Sequence, residues 1–249
     1  MMKKTEILLL AVLVIASFSL GFIVNDYAFP ATERIVLQEL PQKTYSAQID
    51  IVAVRMQGEI GIVNTATVEI TEGKGRVLFA LNPFVEPDTQ QSAETAKLVA
   101  EEYTKKSLGD KDVIYSIDAG NVQLVGGPSA GAALTAATIA AIEETPLRTD
   151  VSMTGTILED GSIGQIGGVL EKFAAVAEQG KTLFLVPKGQ SMLQYYEPRI
   201  VREERGPFIL ERTQYIPKTL DLNEYAKEQG WTTEIKEVRN ISEAMEYLF

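Results

Sequence analysis

Histidine and cysteine are both missing from this chain of 249 residues, and tryptophan occurs once. With no imidazole and no thiol, a Ser-His-Asp triad, a Cys-His pair and a histidine-ligated zinc are all excluded for this chain alone. No disulfide can form either, so cysteine usage assigns no compartment. Positive charge is in deficit: 23 Lys and Arg stand against 34 Asp and Glu, a net charge of −11. That balance argues against nucleic acid as a partner and against peripheral adsorption to an anionic membrane surface. Its plain meaning is a solvated acidic surface that maintains solubility. Internal repeats and low-complexity tracts are also lacking, and no metal or organic cofactor is expected. What is present is 45% hydrophobic content, enough for one good core and a small appendage.

The N-terminus holds the one long apolar run. Lys3 and Lys4 precede an uncharged stretch from Ile7 to Val24, broken only by Ser17, Ser19 and Gly21. As a helix it would be about 27 Å long, close to the hydrocarbon thickness of a bilayer. Two readings stay open, an uncleaved transmembrane anchor and a cleaved signal sequence. Ser17-Phe18-Ser19 and Ser19-Leu20-Gly21 are the nearest approaches to a small-x-small cleavage site. With both lysines before the span and Asp26 after it, residues 1–6 stay cytoplasmic and the remainder lies outside the cell membrane. Cleavage would make that remainder a secreted protein.

Residues 25–47 read as a tether, punctuated by Pro30 and Pro41, with a possible edge strand at Ile35–Leu37. From Gln48 to Phe249 the pattern is that of one α/β domain. Ile49–Arg55, Ile62–Thr71 and Arg76–Leu81 read as strands joined by Gly-containing turns, hence as antiparallel neighbours. Residues 89–106 read as a helix with Ala93, Ala96, Val99 and Ala100 facing inward. Val113–Ile117 is a strand and Ala130–Glu144 a closely packed helix stopped by Pro146. Asp160-Gly161 centres a hairpin between Asp150–Leu158 and Ser162–Ile166. Helices at Val169–Gln179, Leu220–Gln229 and Ser242–Leu248 alternate with strands at Thr182–Val186 and Thr232–Val238. Between them, residues 189–219 form a long, charged segment with three prolines. It reads as an irregular insertion, the kind of loop that is functional or partly disordered.

The chemistry concentrates at Gly126-Gly127-Pro128-Ser129-Ala130-Gly131, with Lys172 lying 43 positions beyond Ser129. A serine at the mouth of a glycine turn that opens a helix of small residues has an uncrowded hydroxyl. Backbone N–H groups at the helix start can hold a developing oxyanion. In the absence of imidazole its base must be Lys, Asp, Glu or Tyr. Lys172 sits one turn into a helix that opens with Gly167-Gly168, beside Val169, Leu170, Phe173 and Ala174. A helical lysine is by default a solvated surface residue. Desolvated among such neighbours, it would lose proton affinity and could accept the serine proton. Gly126-Gly127 as a phosphate loop is a poor alternative, because no lysine adjoins it and Pro128 removes a donor.

Three stretches carry a family likeness: Gly127–Gly131, Thr145–Gly155 and Gly167–Lys172. Together they resemble the proteolytic domain of the Lon proteases, and the likeness extends more weakly from Gln48 to the C-terminus. It implies a fold of mixed sheets with helices packed alongside. It also implies a Ser-Lys dyad in which Ser129 is the nucleophile and Lys172 the general base, acting through an acyl-enzyme. Thr154 matches a threonine whose hydroxyl orients the lysine amine; without the family it would read as an ordinary strand residue. The backbone N–H groups of Ser129, Gly126 and Gly127 are the implied oxyanion donors. Two departures matter. The family has an acidic residue three positions before its serine where this chain has Gly126, with Asp118 a conceivable substitute. No Gly-x-x-x-x-Gly-Lys-[Ser/Thr] nucleotide loop occurs in the 249 residues. The expectation is an ATP-independent, membrane-anchored serine endopeptidase acting on unfolded or flexible polypeptides. Self-association into a homo-oligomer is open. The competing readings are a membrane-tethered, non-catalytic binding module of the same fold and a signal-peptidase-like processing protease.

Overall fold

Alternating β-branched and polar residues build two long strands, β1 (Tyr45–Arg55) and β2 (Ile60–Glu72). In the computed structural model, which describes residues 12–13, 15–17, 44–55, 60–80, 83–120, 122, 124–205 and 208–249, they pair antiparallel from Tyr45↔Ile70 to Arg55↔Ile60. β5 (Lys111–Asp118) lines the other edge of β2, antiparallel, and β3 (Val77–Phe79) runs parallel to β5. The sheet order is therefore β1-β2-β5-β3. This corrects the expectation that the first three strands are successive antiparallel neighbours. The cause is Asp112, whose Oδ1 accepts from the backbone N–H of Lys74 at 2.8 Å and of Arg76 at 3.0 Å. Its other oxygen takes the Arg76 guanidinium. The turn at 73–76 is thus wrapped around β5, which is inserted between the strands the turn connects.

Two helices cover one face of this sheet. The first, α1 (Pro87–Thr104), buries Ala93, Ala96, Val99 and Ala100. The second, α2 (Gly131–Glu143), is buried along its whole length from Gly131 to Ala141. Its alanines and threonines let it touch α1, β1 and β2 at once, which larger side chains would prevent. Buried Thr135 and Thr138 satisfy their hydroxyls on the Gly131 and Leu134 carbonyls, so polar atoms in the core leave no unmet donor.

A second, all-parallel sheet is ordered β13-β10-β7, from β7 (Val151–Met153), β10 (Leu183–Pro187) and β13 (Glu234–Val238). The expected hairpin around Asp160-Gly161 is present in shortened form, as β8 (Thr156–Ile157) against β9 (Ile163–Gly164). Its first strand is interrupted at Thr154-Gly155, where the chain leaves the parallel sheet. Helix α3 (Val169–Glu178) packs on both β1 and β2. β1 divides two apolar clusters: Ile49 and Ile51 belong to the one that includes α2, Val52 to the one that includes Phe173 and Phe184. In the second cluster Phe173 stacks on Phe184 and meets the lone Trp231 edge-on, ring centroids 5.5 Å apart.

A parallel pair, β4 (Phe84–Val85) and β6 (Leu124–Val125), borders the serine turn. The segment expected to be irregular is instead a long two-stranded ribbon, β11 (Met192–Arg205) and β12 (Phe208–Asp221), in unbroken antiparallel register. The charges and prolines that suggested disorder are tolerated because both faces of the ribbon meet solvent. Helices α4 (Leu222–Gln229) and α5 (Ile241–Leu248) complete the domain, capped by the Asp221 and Asn240 side chains.

Contacts divide the chain into Met1–Pro41 and Gln42–Phe249. In the first unit residues 12–13 and 15–17 are helical. Among the described residues no helix is long and apolar enough to cross a membrane. Most of the expected span at 7–24, and the expected edge strand at Ile35–Leu37, lie outside the described residues.

Candidate active site

Ser129 is set at the junction of β6 and α2. After Val125 the chain turns through Gly127, whose φ of +95° is one that residues with a β-carbon rarely adopt. Pro128–Ala130 form a single 3₁₀ turn that runs into α2. The start of α1 grips this turn: the Gly127 N–H donates to Asp88 Oδ1 at 3.3 Å, and Thr89 Oγ1 donates to the Gly127 carbonyl at 3.2 Å. Of the three expected oxyanion donors, the Gly127 N–H is therefore engaged by a carboxylate. The segment after β7 holds the other side. Gly155 N–H donates to the Ser129 carbonyl at 2.9 Å, and Ala132 N–H donates to the Gly155 carbonyl at 3.0 Å. This explains the break at Thr154-Gly155, where the strand exchanges sheet pairing for bonds to the serine turn.

Lys172 reaches the same point from α3. Gly168 caps that helix at φ +67° and accepts the Lys172 N–H, which places the side chain on the first turn, facing inward. Lys172 is only 3% exposed. Its amine lies 2.7 Å from Ser129 Oγ and 3.2 Å from Thr154 Oγ1. Among the described residues it forms no ion pair. Burial alone pushes its pKa down, to about 8, because removing an ammonium from water without a counter-charge favours the neutral amine. Thr154 Oγ1 also donates to the Ser129 carbonyl at 3.2 Å. With its proton committed there, the hydroxyl can only accept from the lysine, which leaves the amine lone pair for Ser129.

Ser129 and Lys172 line a cleft of about 630 Å³, with Thr154 buried behind them. One wall is Val54 and Ile62 from β1 and β2, another is Glu86, Leu124 and Gly126. The acid question at Gly126 has a spatial answer. A β-carbon built on Gly126 would lie 1.9 Å from Glu86 Oε2, so the Glu86 carboxylate occupies the room a side chain at 126 would need. Asp118, the substitute expected from proximity in sequence, is exposed at the end of β5 and accepts from Gly120 N–H at 3.2 Å. It is not among the residues that line the cleft. Sequence reasoning thus missed Glu86, Asp88 and Thr89. The signal was Pro87 followed by Asp88-Thr89, a helix-start pattern whose carboxylate is free to bond elsewhere.

A serine hydroxyl against a buried amine that has no ion-pair partner among the described residues, open to a cleft, is the equipment of a serine hydrolase whose base is lysine in place of imidazole. Comparison with known proteins gives the particular kind. The profile of the Lon protease (S16) C-terminal proteolytic domain matches residues 51–205, well over half of the chain, and the chain belongs to that family. It is thereby a serine endopeptidase domain. The Lon protease of Ureaplasma parvum is 39% identical over 85 residues, which cover 34% of this chain and 11% of that protein. That of Dictyoglomus thermophilum is 27% identical over 156 residues, 59% of this chain and 19% of the relative. An archaeal Lon protease of Archaeoglobus fulgidus is 26% identical over 127 residues, 51% and 20% respectively. The matches span about a fifth or less of those relatives' own length.

Proposed function

We propose that this chain hydrolyses peptide bonds by a Ser129–Lys172 dyad, without nucleotide, in unfolded or flexible segments of polypeptides. The observation that carries the reading is the buried Lys172 amine at 2.7 Å from Ser129 Oγ, with no counter-charge among the described residues. Neutral Lys172 takes the Ser129 proton as Oγ attacks the scissile carbonyl. The resulting ammonium protonates the departing amine and leaves an acyl-enzyme. Lys172 then takes a proton from the attacking water, and collapse of the second tetrahedral intermediate frees Ser129. Thr154 acts as a positioning residue for the amine. The N–H groups of Ser129 and Gly126 stabilise the oxyanion, joined by that of Gly127 when it exchanges its bond to Asp88.

Every proton in this cycle is handled by Ser129, Lys172 and water, so the chemistry itself demands no ATP. What supports attachment to a membrane is the apolar run at 7–24, and the two lysines before it favour an extracytoplasmic catalytic domain. The test is cleavage of an unfolded protein by the full chain, with and without ATP, beside Ser129→Ala and Lys172→Ala. Nucleotide-independent cleavage lost in both variants is expected. Cleavage that survives Ser129→Ala, or a wild type that is inert and unreactive toward a serine-directed probe, overturns the reading in favour of a binding module.

A further inference from the structure

The ribbon of β11 and β12 is fixed at its base to the loop that presents Lys172. The Gln190 amide clamps the Ile166 peptide from both sides, accepting from its N–H at 3.0 Å and donating to its carbonyl at 2.7 Å. Ile166 directly precedes Gly167-Gly168. Ser191 binds the Glu237 carboxylate through its N–H at 3.0 Å and its hydroxyl at 2.6 Å. Between this base and the first turn of α3 lies a second groove of about 530 Å³. Its apolar walls are Leu170 from the helix and Leu193, Tyr195 and Leu220 from the ribbon. Gly168 lines both this groove and the Ser129–Lys172 cleft, so the two adjoin at that residue.

Register shows why this part of the ribbon is apolar on the groove side. Leu193 pairs with Leu220 and Tyr195 with Lys218, and residues two apart share a face. Tyr195 remains 49% exposed, and Leu170, Leu193 and Leu220 are only partly buried. Each edge of the ribbon, by contrast, carries a proline. Pro198 pairs with Tyr215 and Pro217 with Tyr196, two register positions apart and so of one pairing class. A proline within an intact ladder fits only where its N–H would have pointed outward, and each edge thus carries one blocked donor.

We infer that this groove is an extended subsite of the peptidase cleft, taking an apolar or aromatic side chain of the substrate polypeptide at a position removed from the bond cut at Ser129. The inference rests on the Ser129–Lys172 reading and adds to it a preference. Its volume lies within the range of about 300–1,000 Å³ that accommodates small ligands. Its position next to the cleft supplies the occupant, since a substrate chain that extends past Gly168 reaches it.

The test uses the full chain with Tyr195→Ala, Leu193→Asp and, on the ribbon's other face, Ile200→Ala. Products from an unfolded protein are sequenced by mass spectrometry, and kinetics are taken on peptides of graded length. Tyr195→Ala is expected to raise KM about tenfold for peptides long enough to reach the groove, an effect that fades as they are shortened. Leu193→Asp should shift the product pattern toward basic residues at that same distance, and Ile200→Ala should change neither. Trp231 fluorescence, which reports the neighbouring cluster, checks that each variant is folded. A wild type labelled at Ser129 and active, with an unchanged length dependence in Tyr195→Ala, overturns the groove alone. A wild type inert toward the serine probe overturns the dyad and the groove with it.

Discussion

At the scale of single residues, the proposed reaction depends on a lysine that is neutral near pH 8, and arginine cannot imitate it. A guanidinium stays protonated at any pH a protein survives, so Lys172→Arg should abolish cleavage and probe labelling as fully as Lys172→Ala. Thr154→Val keeps the shape but loses the hydroxyl that accepts from the amine; a loss of about 10–100-fold in kcat is expected, with Thr154→Ser restoring most of it. Burial of Lys172 also has a consequence for stability. Its folded pKa is about 8, below that of the unfolded chain, so between the two values the unfolded state binds more protons. Stability should rise with pH across that window. Denaturant midpoints at pH 7.5 and 9.5 should separate in the wild type by more than in Lys172→Met, and an equal separation would contradict the assignment. At Gly126, the atoms nearest an added β-carbon belong to the Glu86 side chain, which can rotate away. Gly126→Ala and Glu86→Ala should therefore alter kcat/KM through one shared cause, and the double variant should resemble either single one.

At the scale of elements, Ser129 and Lys172 meet because β7 leaves its sheet at Thr154-Gly155 and α3 starts on Gly168. The sequence announced the second event through its paired glycines. It did not announce the first, because a strand that trades ladder bonds for bonds to a distant turn keeps its β-branched composition. The same holds for β3, displaced from β2 by the Asp112 contacts. Asp112 sits 38 and 36 positions from the N–H groups it binds, so the wrap has no local signature. Among the described residues from 83 on, helices were legible to within about two residues at each end, since their 3.6-residue periodicity and caps are local. The ribbon was not, since both its faces are solvated and it lacks the one-sided alternation that marks a strand packed on a core. The element that carries Lys172 is anchored through Phe173, fully buried against Phe184 and Trp231. Phe173→Ala should cost about 3–5 kcal/mol and shift the Trp231 emission, as read by denaturant titration.

At the scale of the molecule, two apolar clusters flank β1, and the two side chains of the proposed dyad come from the two sides: Ser129 from the turn that opens the helix packed in one, Lys172 from the helix packed in the other. Neither cluster alone holds a complete dyad. Variants that loosen either should depress activity before global unfolding, which a parallel record of cleavage and Trp231 fluorescence against temperature would reveal. The cleft is open and bordered by an apolar groove, a form suited to an extended chain and not to a folded surface. Unfolded proteins should be cut while their native forms survive, with no change on adding ATP. Family and peptidase class were readable from Gly127–Gly131 and Gly167–Lys172, and the two side chains singled out there lie within hydrogen-bond distance of each other. Glu86, Asp88 and the subsite at the ribbon base were not, because they are brought to the serine by pairing between β4 and β6 and by the fold of the ribbon.

The central claim is that a neutral Lys172 activates Ser129. The most direct measurement is the rate of Ser129 labelling by a fluorophosphonate probe from pH 6 to 10, in the wild type and in Lys172→Arg. The account predicts a wild-type rate that climbs through an apparent pKa near 8 and levels off, with Lys172→Arg unlabelled throughout. Labelling that is flat across the range, or that persists in Lys172→Arg, would contradict it.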